Sequence, residues 1–259
     1  MRRIVTLTTD FGPGSLYVAQ VKARLLHTRA DITLVDIAHD LPAHDIRGAS
    51  WFLGQACLTF PADTLHLVVI DPGVGTARKM VWASIGGHAF LAPDNGLLTH
   101  ALARASLAEA RTLPEPTGAS ATFHGRDVVA VAACRLLDGE PASSLGEPHG
   151  ALVHLPEATA SEGPQGIRGE VCYIDHFGNL LTNLPATMWS AVQAAGGIRL
   201  GDRWIDRPVR TYGDASPGSA VVLVGSQGVI EIAVVEGSAS RMLGGEIGTS
   251  VTLDSWHPH

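Results

Sequence analysis

The sequence predicts an α/β N-terminal domain with a layered, largely parallel sheet, followed by a smaller all-β, barrel-like C-terminal domain. Three observations carry that expectation. Apolar β-like runs alternate with helix-period stretches through the first half of the chain, the order expected of βαβ units. Leu65, Leu67, Val68, Val69 and Ile70 form a continuous apolar run, which fits a strand buried on both faces of a parallel sheet. Beyond Gly166 the apolar segments become short and β-like, with turn residues between them, as in sandwiches and barrels.

Taken in order, Ile4 to Thr8 is the first strand and ends in Thr9-Asp10-Phe11-Gly12. Leu16 to Leu26 carries Val18, Val21 and Leu25 at helical spacing. Ile32 to Val35 is a second strand with Asp36 at its end. From Asp45 to about Leu58, the positions Ile46, Ala49, Phe52, Leu53 and Ala56 describe a helix, with Asp45 as a first-turn acid. After the central run, Met80 to Ile85 and His88 to Leu91 form a hairpin across Gly86-Gly87. Ala92-Pro93-Asp94-Asn95-Gly96 is a turn, because Asn-Gly tolerates positive φ. Leu97 to Ala105 and Val128 to Leu137 are helices. Pro141 to Gly166 repeats Pro, Gly, Ser and Glu with weak periodicity and is read as the connection between domains, the linker proper being 151–166 between 1–150 and 167–259. Val171 to Ile174, Ile198 to Leu200, Ala220 to Val224, Val229 to Val235 and Ser250 to Leu253 are strands, and Ala186 to Ala195 the one helix among them. The terminal Trp256-His257-Pro258-His259 could bind a metal adventitiously and is read as a disordered tail.

Composition narrows the function classes. Hydrophobic content of 46% and charged content of 17% describe a soluble globular protein, and 259 residues give ample material for a core. A net charge of −7 without a Lys/Arg cluster argues against nucleic acid as a partner. No apolar segment approaches the length of a membrane span, and the N-terminus lacks the apolar region of a signal peptide. Cys57, Cys134 and Cys172 are odd in number, widely spaced and in apolar contexts, as expected of buried free thiols in a reducing cytoplasm.

Four polar clusters each stand at the end of an apolar segment. Asp71 lies where the central strand leaves the sheet, the edge at which open α/β sheets hold ligands. A rigid and then permissive backbone follows, Pro72-Gly73-Val74-Gly75, and Arg78 is close enough for its guanidinium to fold back towards Asp71. A strand, a turn and a surface arginine would read the same way. Asp10 could accept two hydrogen bonds from a ribose diol, or simply cap a helix. His124, in Thr122-Phe123-His124-Gly125-Arg126-Asp127, could move a proton near neutral pH, or be a packed histidine. In Asp175-His176-Phe177-Gly178-Asn179, the Asn179 amide could both donate to and accept from an adenine edge while Phe177 stacks on the ring; a polar β-turn is the alternative. His39 and His44 flank Asp40 and could approach a metal, although a polar loop is preferred. No GxGxxG opens a helix after the first strand, and neither GxxxxGK[ST] nor GxSxG occurs. These residues alone stop at a two-domain α/β protein that binds a nucleoside.

Together the clusters resemble a known family. TLTTDFG, DPGVGTAR, APDNGLLT, TFHGRD, DHFGNLLTN and GSQGVIEIAV occur in this order, from Thr6 to about Val251, in the S-adenosyl-L-methionine (SAM) hydroxide adenosyltransferases, relatives of the SAM-dependent fluorinase and chlorinase. The resemblance implies a homotrimer with active sites between the N-terminal domain of one subunit and the C-terminal domain of its neighbour. It implies attack of water on ribose C5′ of SAM, releasing adenosine and L-methionine, with no cofactor beyond the substrate. The family's triad falls on Asp71, Arg78 and His124. The ribose hydroxyls would meet Asp10, the adenine edge Asn179, and the ring Phe177, with Phe123 and Gly125 lining the site. Asp175 and Ser226 would meet the methionine amino and carboxylate groups, and Glu231 with the backbone from Val234 to Glu236 would close the far side. Ser15 stands where the family pattern TDFGxxD has an acid, which weakens contact with the methionine ammonium.

The implied chemistry suits these residue types. A sulfonium is already an excellent leaving group, so what is missing is a good nucleophile. An acid and an imidazole can position water and take its proton, and Arg78 would fix Asp71 by a charge-assisted contact. Two other functions share the resemblance: a SAM-dependent halogenase, whose family members carry uncharged residues at the triad positions, and a non-catalytic adenosine or SAM sensor.

Overall fold

The computed structural model describes residues 3–156, 160–163 and 166–254, so the terminal Trp256–His259 lies outside the described residues. The chain forms two compact units, the first ending at Leu155 and the second beginning at Pro156.

The N-terminal unit contains β1 (Ile4–Thr9), α1 (Leu16–Thr28), β2 (Thr33–Ala38), α2 (Ile46–Ala56), β3 (Leu65–Val69), β4 (Met80–Ile85), β5 (His88–Pro93), α3 (Thr99–Arg104), β6 (Leu107–Leu113) and α4 (Ala130–Leu137). Its strands form one sheet in the order β2-β1-β3-β5-β4-β6. β1 runs parallel to β2 and β3, and β3 parallel to β5. β4 is antiparallel to both β5 and β6, so the sheet is mixed, with its parallel part centred on β3. The continuous apolar run of β3 now has its cause. Leu67 and Val69 join the core under α1 and α4, with Val21, Leu25 and Val129, while Val68 and Ile70 face the opposite core with Leu53 and Ala101 from α2 and α3. A strand covered on both faces has no solvent side on which to alternate.

Asp45 is the N-cap of α2, its carboxylate accepting from the Gly48 N–H at 2.9 Å, and Ser15 caps α1 through the Tyr17 N–H at 3.2 Å. β6 had no counterpart in the sequence expectations. It lies at the sheet edge, its first three residues are exposed, and its polar Leu-Ala-Glu-Ala-Arg-Thr-Leu run lacks a buried-strand pattern.

The first part of the expected connection, up to Leu155, belongs to the N-terminal unit and packs on it. Leu145 and Leu152 are buried, and His149 bridges Asp94 (Nε2 to Oδ2, 3.0 Å) and Thr112 (Nδ1 to Oγ1, 2.8 Å). The division between the two units, at Leu155/Pro156, lies within 151–166. Pro and Gly content reported irregular backbone there, and irregular backbone can still pack.

The C-terminal unit contains β7 (Ser161–Gly163), β8 (Gly166–Ile174), β9 (Leu180–Pro185), α5 (Trp189–Ala195), β10 (Ile198–Leu200), β11 (Arg203–Ile205), β12 (Ala220–Val224), β13 (Val229–Val234), α6 (Ala239–Leu243) and β14 (Ser250–Asp254). The order is β11-β10-β14-β8-β9-β13-β12, with antiparallel pairing throughout and β7 paired to β8. Just past β11, the Val209 N–H donates to the Val222 carbonyl and the Val222 N–H to the Arg207 carbonyl, both at 2.9 Å. These bonds bring the two ends of the sheet together, so the unit is a nearly closed barrel around Val171, Leu180, Ile198, Val222, Ile232 and Val251. Among the described residues, no helix is long and apolar enough to cross a membrane.

One polar chain crosses the N-terminal core. The Thr6 hydroxyl pairs with His66 Nδ1 at 2.8 Å, His66 Nε2 with His88 Nδ1 at 3.1 Å, and His66 stacks on Phe90 with 4.7 Å between ring centroids. Burial, and then the neighbouring His88, push the His66 imidazole down to about 3; burial and then Arg47 bring His100 to about 4. Both stay neutral in the folded chain over a range where an unfolded histidine, with a pKa of about 6.5, takes a proton. The unfolded state then binds more protons, so stability falls as pH drops from about 6.5 towards those lowered values, by up to about 1.4 kcal/mol per pH unit for each imidazole. Urea midpoints between pH 7.5 and pH 4.5 should move accordingly. His66→Asn, whose amide lies near the Nδ1 position and keeps a partner for Thr6, should flatten that dependence; an unchanged slope in this variant would refute His66 as a contributor.

Candidate active site

Asp71 follows Ile70 at the carboxyl end of β3, and Asn95 pins that exit by donating from Nδ2 to the Ile70 carbonyl at 3.1 Å. Two successive turns then reverse the chain: the Val74 N–H donates to the Asp71 carbonyl at 3.2 Å and the Thr76 N–H to the Gly73 carbonyl at 3.1 Å. Gly75 sits at φ +77°, and a Cβ there would come within 2.9 Å of the Ala121 carbonyl oxygen, so the turn needs a residue without a side chain. The reversal returns Arg78 to Asp71. Nε donates to Oδ1 at 2.8 Å and Nη2 donates to Oδ2, a bidentate fork between two side chains that are only 10% and 5% exposed.

The same Nη2 donates to His124 Nδ1 at 2.8 Å. His124 stands immediately before a wide helical turn, Gly125–Val129, that runs into α4. That segment is held by Asp127, which accepts from the Ser120 N–H at 3.0 Å and from both Nε and Nη2 of Arg126 at 2.7 Å. Phe123 is buried beside it, edge-on to Phe11 and Tyr17, with the Arg126 guanidinium 4.9 Å above its ring.

This arrangement fixes the tautomer of His124. A guanidinium has only donors, so Nδ1 must be the acceptor and the neutral ring carries its hydrogen on Nε2. Nε2 is buried and has no hydrogen-bond partner among the described residues; the Glu115 carboxylate, at 3.6 Å, is too far to accept. The three segments thus bring Asp71, Arg78 and His124 into one array that ends in a buried N–H donor.

Asp10 follows β1 and accepts from the His44 backbone N–H on Oδ2 at 3.0 Å. It is not the cap of α1, since Ser15 fills that position. His39 and His44 serve this loop, and among the described residues no group of three or more His, Cys, Asp and Glu could hold a metal ion.

In the C-terminal unit, Asp175 to Asn179 connect β8 to β9. The Asp175 carboxylate organises the loop, accepting from the Phe177 N–H (3.0 Å) and the Asn179 N–H (2.8 Å) on Oδ1 and from Asn179 Nδ2 (2.9 Å) on Oδ2. Asn179 is buried with its amide fixed, whereas Phe177 is 73% exposed. Gly178, at φ +85°, lets the loop approach Ser238, whose Oγ would be 2.1 Å from an added Cβ. Glu231 is buried on β13 and accepts from the Tyr212 hydroxyl at 2.5 Å. Burial raises the Glu231 carboxyl above its ordinary value; the Tyr212 hydrogen bond opposes this and the Asp175 charge adds to it. The Glu231 side chain packs on Gly225, next to the exposed turn residue Ser226. Val234 is buried at the end of β13, and Glu236 beyond it is exposed with φ +53°.

Sequence reading passed over Tyr212, Asn95 as a brace, and the pairing of His39 with Thr9. Only Tyr212 carried a local signal, the Thr211-to-Asp214 capping box, and that signal concerns the backbone.

Family models for the SAM hydroxide adenosyltransferase N-terminal and C-terminal domains match residues 5–146 and 169–252. A protein of Thermus thermophilus named (R)-S-adenosyl-L-methionine hydrolase is 40% identical over 264 residues, covering 97% of this chain and 99% of its own. A fluorinase of Actinopolyspora mzabensis is 27% identical, covering 90% of each chain. The crystal structure of an uncharacterized conserved protein from Thermotoga maritima superposes with a TM-score of 0.87 at 32% identity, covering 97% of this chain and 100% of that one. Matched in both halves, the chain belongs to the SAM hydroxide adenosyltransferase family.

Proposed function

We propose that this chain is an enzyme that hydrolyses SAM to adenosine and L-methionine. The oxygen of water attacks ribose C5′, the C5′–S bond breaks with its electron pair passing to sulfur, and the sulfonium leaves as the neutral thioether of methionine. No redox or carbonyl-activating cofactor is needed for this displacement. The relatives named (R)-S-adenosyl-L-methionine hydrolase, at 36–40% identity in three organisms, support this over halogenation, since the fluorinases are more distant at 27–28%. Their name also points to the (R) sulfonium epimer as the substrate.

The observation that carries the mechanism is the buried His124 N–H at the end of the Arg78 array. With Nδ1 engaged by Arg78 and Nε2 already protonated, neutral His124 is a donor to the nucleophilic oxygen rather than its base. Asp71 spends one lone pair of each oxygen on Arg78 and has others left to accept a proton from water. We therefore assign Asp71 as acceptor, His124 as the orienting donor and Arg78 as the group that aligns both. Such positioning replaces a collision with a held near-attack geometry.

For binding, Asp10 takes the ribose diol, Asn179 the adenine edge and Phe177 the ring face, with Phe123 and Gly125 as lining. Asp175 and Ser226 take the methionine ends, with Glu231 and the Val234 to Glu236 backbone beyond. Ser15 offers the ammonium only a hydroxyl already engaged as a helix cap. We also propose a homotrimer in the cytoplasm; the free thiols Cys57, Cys134 and Cys172 fit a reducing compartment.

Turnover in ¹⁸O-labelled water should place the label in the 5′-hydroxyl of adenosine; unlabelled adenosine, or a halogenated nucleoside formed in fluoride or chloride, would contradict hydrolysis. Asp71→Asn should lower kcat about 10²–10⁴-fold. His124→Gln, which can present an amide N–H near the Nε2 position, should keep more activity than His124→Ala. Equal loss in both would remove the donor role.

A further inference from the structure

The loop that follows β2 is tied to the loop that follows β1 by more bonds than a connection requires. His39 Nδ1 pairs with the Thr9 hydroxyl at 2.9 Å, and the His39 carbonyl accepts from the Gly12 N–H at 2.7 Å. Thr9 Oγ1 also accepts from the Phe11 N–H at 3.3 Å. Five residues after His39, His44 donates its backbone N–H to Asp10 Oδ2 at 3.0 Å from a left-handed conformation, φ 68°. That conformation is costly for a residue with a side chain, and such strain collects where surrounding structure holds it for a purpose. Both flanks of Asp10 and its carboxylate are thus held from one loop.

The far side of the His39 ring is occupied as well. Nε2 lies 3.2 Å from Asp36 Oδ1, at ion-pair distance but without hydrogen-bond alignment, and Asp36 in turn meets Lys22 Nζ at 2.5 Å. A carboxylate facing Nε2 favours the tautomer with hydrogen on that nitrogen, leaving Nδ1 to accept from the Thr9 hydroxyl. We propose that His39 is a positioning residue for substrate binding: through Nδ1 it sets the Thr9 rotamer and hence the aim of the Asp10 carboxylate at the ribose diol. The inference rests on the assignment of Asp10 to the ribose given above. His39 touches no substrate in this account. It supports a binding group, as an outer layer of hydrogen bonds supports the residues of a preorganised site.

The two ring nitrogens can be separated by substitution. In His39→Asn the amide oxygen occupies the neighbourhood of Nδ1 and can accept from Thr9, while His39→Gln reaches towards Asp36 and leaves Thr9 unpaired. Binding of adenosine and of 2′,3′-dideoxyadenosine to the full chain would be measured by calorimetry, and KM and kcat for SAM by methionine release. The unaltered protein should prefer adenosine. His39→Gln and His39→Ala should lose about tenfold in adenosine affinity, lose most of that preference, and raise KM with kcat little changed; His39→Asn should stay within about threefold of the parent. If the Asn and Gln variants lose equally, or none loses the preference, His39 does not act through Thr9. If the unaltered protein binds both nucleosides alike, the ribose assignment of Asp10 fails first and takes this proposal with it.

Discussion

A single guanidinium holds the candidate site together. Arg78 gives two donors to Asp71 and one to His124, so it joins the exit of β3, the turn after it and the segment entering α4. The energetics show what this junction is for. Taking a carboxylate and a guanidinium out of water costs several kcal/mol per ion, and their mutual attraction only roughly offsets that. A pair as buried as this one therefore adds little to stability. Removing either partner is a different matter, because it strands a buried charge at a cost of about 3–5 kcal/mol. The pair is a constraint on geometry, and everything around it serves to satisfy it: Asn95 fixes where β3 ends, Gly75 permits the reversal, and Asp127 holds the His124 segment.

The C-terminal loop shows the same economy with one carboxylate. Asp175 commits three acceptor positions to its own loop, two to backbone N–H groups and one to the Asn179 amide. A carboxylate offers about four such positions, so little of Asp175 is left for an outside donor. What the loop gains is a rigid Asn179, with one amide hydrogen fixed by Asp175. The resemblance implied Asp175 as a contact for methionine; in the structure its carboxylate serves as a scaffold for Asn179. Glu231, buried and partnered by Tyr212, follows the same logic one strand away.

What could be read from the sequence follows from range. β3 and its acid were legible because a doubly covered strand must be apolar and its end must be punctuated, both local facts. The return of Arg78 to Asp71 was legible for the same reason, seven residues apart across two glycines. β6 was missed because an edge strand with a polar face has no periodic signature, and the folded part of the supposed linker because packing leaves no mark when the backbone is irregular. His39, Tyr212 and His149 each act across at least nineteen positions of chain, to Thr9, Glu231 and Asp94 respectively, and no spacing rule reaches so far.

The distribution of unmet polar groups bears on the site independently of any motif. Buried side-chain donors and acceptors are nearly always paired, because leaving one unpaired forfeits its hydration. Among the described residues, four buried atoms have no aligned hydrogen-bond partner: Thr8 Oγ1, His39 Nε2, Trp82 Nε1 and His124 Nε2, of which His39 Nε2 does face the Asp36 carboxylate at 3.2 Å. Of the other three, Thr8 Oγ1 stands near the carboxyl end of β1 and His124 Nε2 on the ring bonded to Arg78. That is the edge at which an open α/β sheet takes its ligand. A deficit scattered through the core would be a simple folding cost. Gathered at one edge, beside a carboxylate and an oriented imidazole, it is what a site built for a polar guest leaves open, in keeping with the water and ribose proposed above.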